Sequence, residues 1–349
     1  MAGAVLLCLA SVAAVQVGPF VEPRQAAGGV VVVLASWLLA LLLRMIYHHA
    51  NRANAERYTQ FAEQVQRRWW RKHREQVSMI ESVLVSPACS AVETAAALFT
   101  FTYLPPHNAV RAPAPIRSPL VRGVQRAERE MQLARLLVMR WQEQNPAPEV
   151  GDLMRCYWLG APSVWRAFCA QMAELAPQVR LPDEPQQWQG IESLNEAIDA
   201  LQNAPQQSRI LCVACVSLDV IPNAGEAALL WLLGRNGGPR LQRGEWLTLG
   251  AERLVDVSRR ALKQAELQHP AQACITFSQP QLHDEQAPDW DLPKHLQDAN
   301  FGALGDMEAM VALTLACWYT QCNDVPCSWL ASDPTHSVAL GVVKPDEPV

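Results

Sequence analysis

The residues best suited to chemistry in this 349-residue chain are its ten cysteines, its eight histidines and a few acidic loops. Cys212 and Cys215 stand two residues apart in Cys-Val-Ala-Cys, the spacing of a redox or zinc pair. Their segment reads as a strand, however, and positions i and i+3 of a strand face opposite ways. Two buried thiols are the better reading. Cys317, Cys322 and Cys327 have no histidine at ligand spacing, so they make a poor zinc site. His48 and His49 lack acidic or cysteine partners nearby. His283-Asp284-Glu285 with Asp289 reads as a solvated acidic loop more readily than as a carboxylate site. Leu233-Gly234-Arg235-Asn236-Gly237-Gly238 is glycine-rich but lacks the lysine and the strand-to-helix setting of a phosphate cradle. Neither a metal nor a cofactor is expected.

The cysteines are scattered through apolar segments, unlike a secreted disulfide framework, and so imply a reducing compartment. The formal net charge of −5 gives no basic field to hold nucleic acid. Two N-terminal stretches, 2–17 and 26–43, carry no charge. About 20 apolar residues cross a bilayer, so the second stretch qualifies directly and the first with help from Phe20 and Val21. Met1-Ala2-Gly3 lacks the positive n-region of a signal peptide, which favours a retained helical hairpin. Arg24 alone lies between the two stretches, whereas Arg44, Arg52, Arg57 and five further cations follow the second. That excess keeps the following domain in the cytoplasm, on a bacterial inner membrane. Within the flank, Arg67, Arg68, Trp69, Trp70, Arg71 and Lys72 mix indoles with cations, as at a membrane interface that contacts lipid. The division expected is a transmembrane hairpin over 1–46, a basic juxtamembrane helix over 47–76 and a cytoplasmic domain over 77–349.

In that domain β-branched runs alternate with Ala- and Leu-rich helical stretches, the pattern of an α/β fold. Strands are expected at 82–85, 210–216, 273–277 and 337–343, and helices at 92–99, 121–142, 165–175, 190–203, 254–267 and 306–319. Periodicity alone leaves 224–233 open between helix and strand.

Several motifs resemble the thiolase-like β-ketoacyl synthases. Val83-Leu84-Val85-Ser86-Pro87 with Val92-Glu93-Thr94 is similar to their opening strand, turn and first helix. Gly190-Ile191-Glu192-Ser193-Leu194-Asn195-Glu196-Ala197, leading to the strand from Ile210, resembles the nucleophile helix and the strand after it. Gly225-Glu226-Ala227-Ala228-Leu229-Leu230 is similar to a Gly-Glu-Gly-Ala strand, and Asn300-Phe301-Gly302 with the helix from Met307 resembles the second-half loop and helix. The resemblance implies an αβαβα layered fold, following the transmembrane helices already read from the apolar stretches, and it makes 224–233 a strand.

The departures concern chemistry. Ketosynthases use a cysteine at a helix N-terminus with two histidines. At the corresponding places stand Gln189 and Gly190 for the nucleophile, Ser278 for the first histidine and Ala303 for the second, with Ser193 one turn inside the helix and His283 reaching the first position only by a gap. Losing three groups that act as a unit removes condensation chemistry, so no catalytic residue is expected. What the resemblance implies is an inactive binding module, of the degenerate kind found beside bacterial type VI secretion genes. Its partner would then be a secreted effector or secretion component, served as adaptor, chaperone or immunity protein. The strand at 210–216 is implied as the edge for a homodimer or for that partner. The alternative is an acyl-transferring or acyl-hydrolysing enzyme at the membrane, using Ser193, His283 or a cysteine.

Overall fold

The computed structural model describes residues 23–89, 92–99, 115–146, 148, 150–219, 223–248, 250–277, 290 and 295–346. The chain divides into two units between Trp70 and Arg71. The first stretch expected to span, 2–17, lies outside the described residues, as do His283 and Ser278.

The first unit is built on one helix, α1 (Pro23–His73), without a break between the apolar stretch and the polar one. No proline follows Pro23 within it, and only Gly28 and Gly29 weaken it, both near its start. From Val31 it is long and apolar enough to cross a membrane, and that apolar stretch is not buried by protein. Leu38, Leu39, Leu42 and Leu43 are each more than half exposed.

The second unit opens with β1 (Gln76–Val85), a short helix α2 (Val92–Ala95), then α3 (Arg126–Gln144), β2 (Asp152–Leu159), α4 (Pro162–Leu175) and β3 (Gln186–Gln187). It continues through α5 (Ile191–Gln202), β4 (Ser208–Ser217), β5 (Glu226–Gly234), β6 (Arg240–Gln242), β7 (Glu245–Leu247) and α6 (Leu254–Gln264). Last come β8 (Ala273–Thr276), β9 (His295–Leu296), α7 (Asp298–Phe301), α8 (Glu308–Asn323), β10 (Cys327–Ala331) and β11 (Val338–Lys344). The strand order is β3-β2-β4-β5-β1-β6-β11-β10-β8-β9, with β7 beside β11. Short β6 joins two half-sheets by pairing antiparallel with both β1 and β11.

Three apolar clusters define five layers. Alternate residues of the first half-sheet, such as Val83, Leu211, Val213 and Leu230, pack with α3 and α4 on the outside. The other faces of those strands share a central cluster with α5, α8 and the inner faces of β8, β10 and β11. The outer face of the second half-sheet packs Leu330, Val338 and Leu340 against Leu254, Val257 and Ala261 of α6. The result is α/β in αβαβα order.

Position in these layers explains the local patterns. Strand β5 is buried at every residue because both its faces are covered, so its sequence shows no alternation. Helix α8 is apolar around nearly its whole circumference because it lies between two sheets. Its Trp318 donates Nε1–H to Ser82 Oγ at 2.8 Å, and Thr314 accepts from Trp231 Nε1 at 2.8 Å, so these buried indoles keep a partner. Cys212 joins the central cluster and Cys215 the outer one, as strand alternation requires.

Two expectations are corrected here. The strand implied as a dimer edge, β4, has β2 on one side and β5 on the other, so its backbone has no free edge to offer. The helix expected from Val121 begins at Arg126. Arg129 instead turns back to donate to the carbonyls of Val121 and Gly123, holding that segment irregular.

Candidate functional site

The site to which the resemblance points begins at Gly190, just before α5. Gly190 has φ +64°, a left-handed conformation that favours glycine and reverses the chain sharply into the helix. The space a side chain would need is occupied. A Cβ on Gly190 would overlap Asp333 Oδ1 and come within 2.7 Å of Asp333 Cγ and 2.8 Å of Pro334 Cδ. Asp333 Oδ1 accepts the N–H of Ile191 at 2.8 Å, so a carboxylate sits on the positive end of the helix. Its other oxygen accepts from Thr335 N, Thr335 Oγ1 and His336 N at 3.2, 2.8 and 3.1 Å. Both of its oxygens are thus engaged within the protein.

Its neighbours are similarly engaged. Gln189 is exposed, and its N–H donates to Ser193 Oγ at 2.8 Å. Ser193 is 3 % exposed, so the hydroxyl weighed as a nucleophile is a buried cap on the turn. Glu192 Oε1 lies 3.4 Å from His336 Nε2, and the His336 ring stacks on Trp246 with centroids 5.2 Å apart.

Ala303, the other degenerate position within the described residues, belongs to a backbone ladder. It forms a bridge with Ala224, takes the carbonyl of Asn223 on its N–H at 2.9 Å and gives its own carbonyl to Gly225 N at 2.9 Å. One residue on, Leu304 N points to Glu308 Oε1 at 3.4 Å, and the other Glu308 oxygen accepts from Ser332 Oγ. Ser332 and Asp333 are consecutive, so a single segment after β10 closes on both expected positions: Asp333 at Gly190, Ser332 through Glu308 at the loop carrying Ala303. Burial raises the Glu308 carboxyl to about 7, with nearby Asp298 adding to the rise, against the lowering effect of Ser332 and the Leu304 and Gly305 N–H groups.

Other buried ionisable groups hold the frame. Glu226, wholly buried, accepts from Arg129 Nε at 2.8 Å and Nη2 at 2.6 Å, from Ser118 N at 2.7 Å and from Ser217 Oγ at 2.9 Å. Burial alone would raise its carboxyl; the Arg129 guanidinium and the Ser118 and Ser217 bonds outweigh it and hold the group below its ordinary value. The cysteines run the other way. Burial raises Cys89 to about 12, and Cys212, Cys215 and Cys317 well above the ordinary thiol value. A thiolate is the nucleophile and the metal ligand, so none of these is activated. Among the described residues no group of three His, Cys, Asp or Glu side chains is placed to hold a metal ion.

The cation and indole cluster lies on α1. Trp69 and Trp70 meet edge to face at 4.7 Å. At about 1.5 Å rise per residue, Arg67 to Trp70 stand some 35–39 Å along the axis from Arg44, the first charge after the apolar stretch. Headgroups extend only about 5–8 Å beyond the hydrocarbon on each side. Further on, the Lys72 carbonyl accepts from Arg243 Nε at 2.9 Å, and Arg243 also binds Glu75 and Asp199.

No family model and no curated protein matches the sequence. Solved structures do. The ishigamide ketosynthase/chain length factor superposes with a TM-score of 0.53 at 13% identity, over 78% of this chain and 100% of that one. Ketosynthase twelve from the bacillaene polyketide synthase of Bacillus amyloliquefaciens gives 0.49 at 9% identity, over 79% and 74%. OleA from Xanthomonas campestris gives 0.46 at 11%, over 77% and 98%. At these identities the likeness concerns architecture alone. The layers, the strand order and the first of these superpositions together give the chain a thiolase-like fold, shared with acyl-condensing enzymes.

Proposed function

We propose that this protein is a catalytically inactive, membrane-anchored thiolase-like binding module. The observation that carries the reading is the Asp333 carboxylate on the N-terminus of α5, in the space a nucleophile on residue 190 would need. An enzyme of this architecture needs a side chain there and free N–H donors to receive a developing oxyanion. Ile191 N is already bound to an anion. The apolar, unburied stretch of α1 from Val31 supports anchoring, and the cations that follow that stretch support an inner-membrane placement with the domain in the cytoplasm. The partner is a protein. By the resemblance in its motifs it is a secreted effector or secretion component, which this chain serves as adaptor, chaperone or immunity protein.

Two measurements on the full-length protein in detergent or nanodiscs test this. Affinity purification from the native membrane should return a stoichiometric protein partner. Incubation with acyl thioesters and acyl carrier protein should give neither transfer nor hydrolysis above the buffer rate. Turnover abolished by a single substitution would overturn the reading in favour of an acyl-transferring or acyl-hydrolysing enzyme at the membrane.

A further inference from the structure

The cations that follow the apolar stretch of α1 do not all lie where a bilayer can use them, and the helix itself gives the distances. Leu41, Leu42 and Leu43 end the uncharged run, and Arg44, Tyr47, His48, His49 and Arg52 follow, all exposed. Arg44, His48 and Arg52 recur every four residues and so line one face of the helix. Arg44, His48 and His49 also border a shallow concavity with Leu41 and Met45, which mixes cationic and apolar lining in one place. Measured along the axis from Arg44, His48 is about 6 Å away and Arg52 about 12 Å, whereas Arg67 is about 35 Å. The headgroup layer is about 5–8 Å deep, and the field of an anionic leaflet dies away over roughly 8–10 Å more. Arg44 and His48 fall inside the layer. Arg52 falls inside the field, and its long side chain can reach back toward the phosphates. Its present bond to Glu56, 3.1 Å from Nε, is an exposed pair that is easily exchanged. Tyr47, with 68% of its surface exposed, adds the amphipathic ring that such a boundary favours.

We propose that Arg44, His48 and Arg52, with Tyr47 beside them, form a headgroup site for anionic phospholipids, and that the Arg67 to Trp70 cluster is not a lipid site. The proposal rests on the reading that α1 crosses a membrane. It deepens that reading by naming the lipid class and the residues that select it.

The test uses the full chain in vesicles made of equal parts phosphatidylglycerol and phosphatidylcholine, with a benzophenone amino acid placed in turn at Trp37, Tyr47 and Trp70. Lipid adducts are identified by mass spectrometry. Adducts are expected at Trp37 and Tyr47 and not at Trp70, with phosphatidylglycerol in excess at Tyr47. The excess should fall by roughly twenty-five-fold in R44Q/R52Q, about five-fold for each cation removed, and hold in R67Q/R68Q. An unchanged ratio in R44Q/R52Q, or adducts at Trp70 as abundant as at Tyr47, would overturn the headgroup site while leaving the anchor intact. Absence of adducts at Trp37 would instead overturn the anchor, and the site with it.

Discussion

The claim that Asp333 occupies the place of a missing side chain makes a quantitative prediction through a double-mutant cycle between Gly190→Ala and Asp333→Ala. In the first variant the new methyl must adopt a left-handed backbone, at about 1–3 kcal/mol. It also displaces the carboxylate that caps α5, at about 1–2 kcal/mol. The sum is about 2–5 kcal/mol. Asp333→Ala alone loses the cap and leaves Thr335 N and His336 N to water, about 2 kcal/mol in all. In the double variant the cap is lost only once and the overlap with Asp333 is gone, so the strain term remains and the cap term is not counted twice. The double variant should therefore be about 1–2 kcal/mol more stable than the two single effects added together. Thermal unfolding of the full chain in nanodiscs, followed by intrinsic tryptophan fluorescence, reads this out at about 2–4 °C per kcal/mol for a domain of this size. Additivity within about 0.5 kcal/mol would mean that the two residues do not compete for the same space and would refute the argument.

Four further outcomes are expected. Glu308 has a carboxyl raised from 4.5 to about 7 in the fold, so its stabilising contribution is complete below 4.5 and is lost as pH rises through about 7. Glu308→Gln should remove that slope and be more stable than wild type at pH 8 by up to about 3 kcal/mol, and equal slopes of melting temperature against pH in the two proteins would contradict it. Arg129→Met removes the two-bond guanidinium from the buried Glu226 and leaves it only Arg117 Nη1 at 3.1 Å, which should cost about 3 kcal/mol, part of it recovered in Arg129→Met/Glu226→Met. Because Glu226 is held below its ordinary value, its contribution is complete above the ordinary carboxylate range and is lost as pH falls through the lowered one, which acid titration of unfolding would follow. Iodoacetamide at pH 8 under native conditions should label exposed Cys322 first and Cys169, raised to about 11, slowly, while Cys89, Cys212, Cys215 and Cys317 wait for unfolding. Peptide mapping over time gives the order.

The sequence revealed most where burial leaves a period. The face made by Ile191, Leu194, Ile198 and Leu201 marks α5, and the unbroken apolar run Ile210 to Val216 marks β4. Periodicity failed for β5, whose two covered faces erase alternation, and there the motif resemblance supplied the answer. Strand β2, with Arg155 in its middle, and the short β10 gave no run long enough to be recognised. The site was half legible. Gly190 marked a chain reversal without a nucleophile, but the occupant of that turn, Asp333, lies 142 residues beyond Ile191 in sequence, where no local pattern ties the two together. A weak signal was present in Ser332-Asp333-Pro334-Thr335, in which an aspartate two residues before a threonine favours a turn closed by its own carboxylate.

That turn bears on what the scaffold is used for. A catalytic helix terminus is locally unsatisfied by design: its N–H groups must wait for charge that appears only in a transition state, and stability is given up to keep them waiting. At α5 the sharp reversal at Gly190 remains, which is the costly backbone part of such a site, while the donor at Ile191 is satisfied permanently and Ser193 is turned to bond Gln189. A chain under demand for acyl chemistry would gain nothing from a carboxylate in this place, since it repels the thiolate and the oxyanion alike. A chain used as a rigid binding surface gains a capped helix and a segment, Ser332 to His336, tied at both ends. The proposed binding-module reading accounts for both what was kept and what was filled.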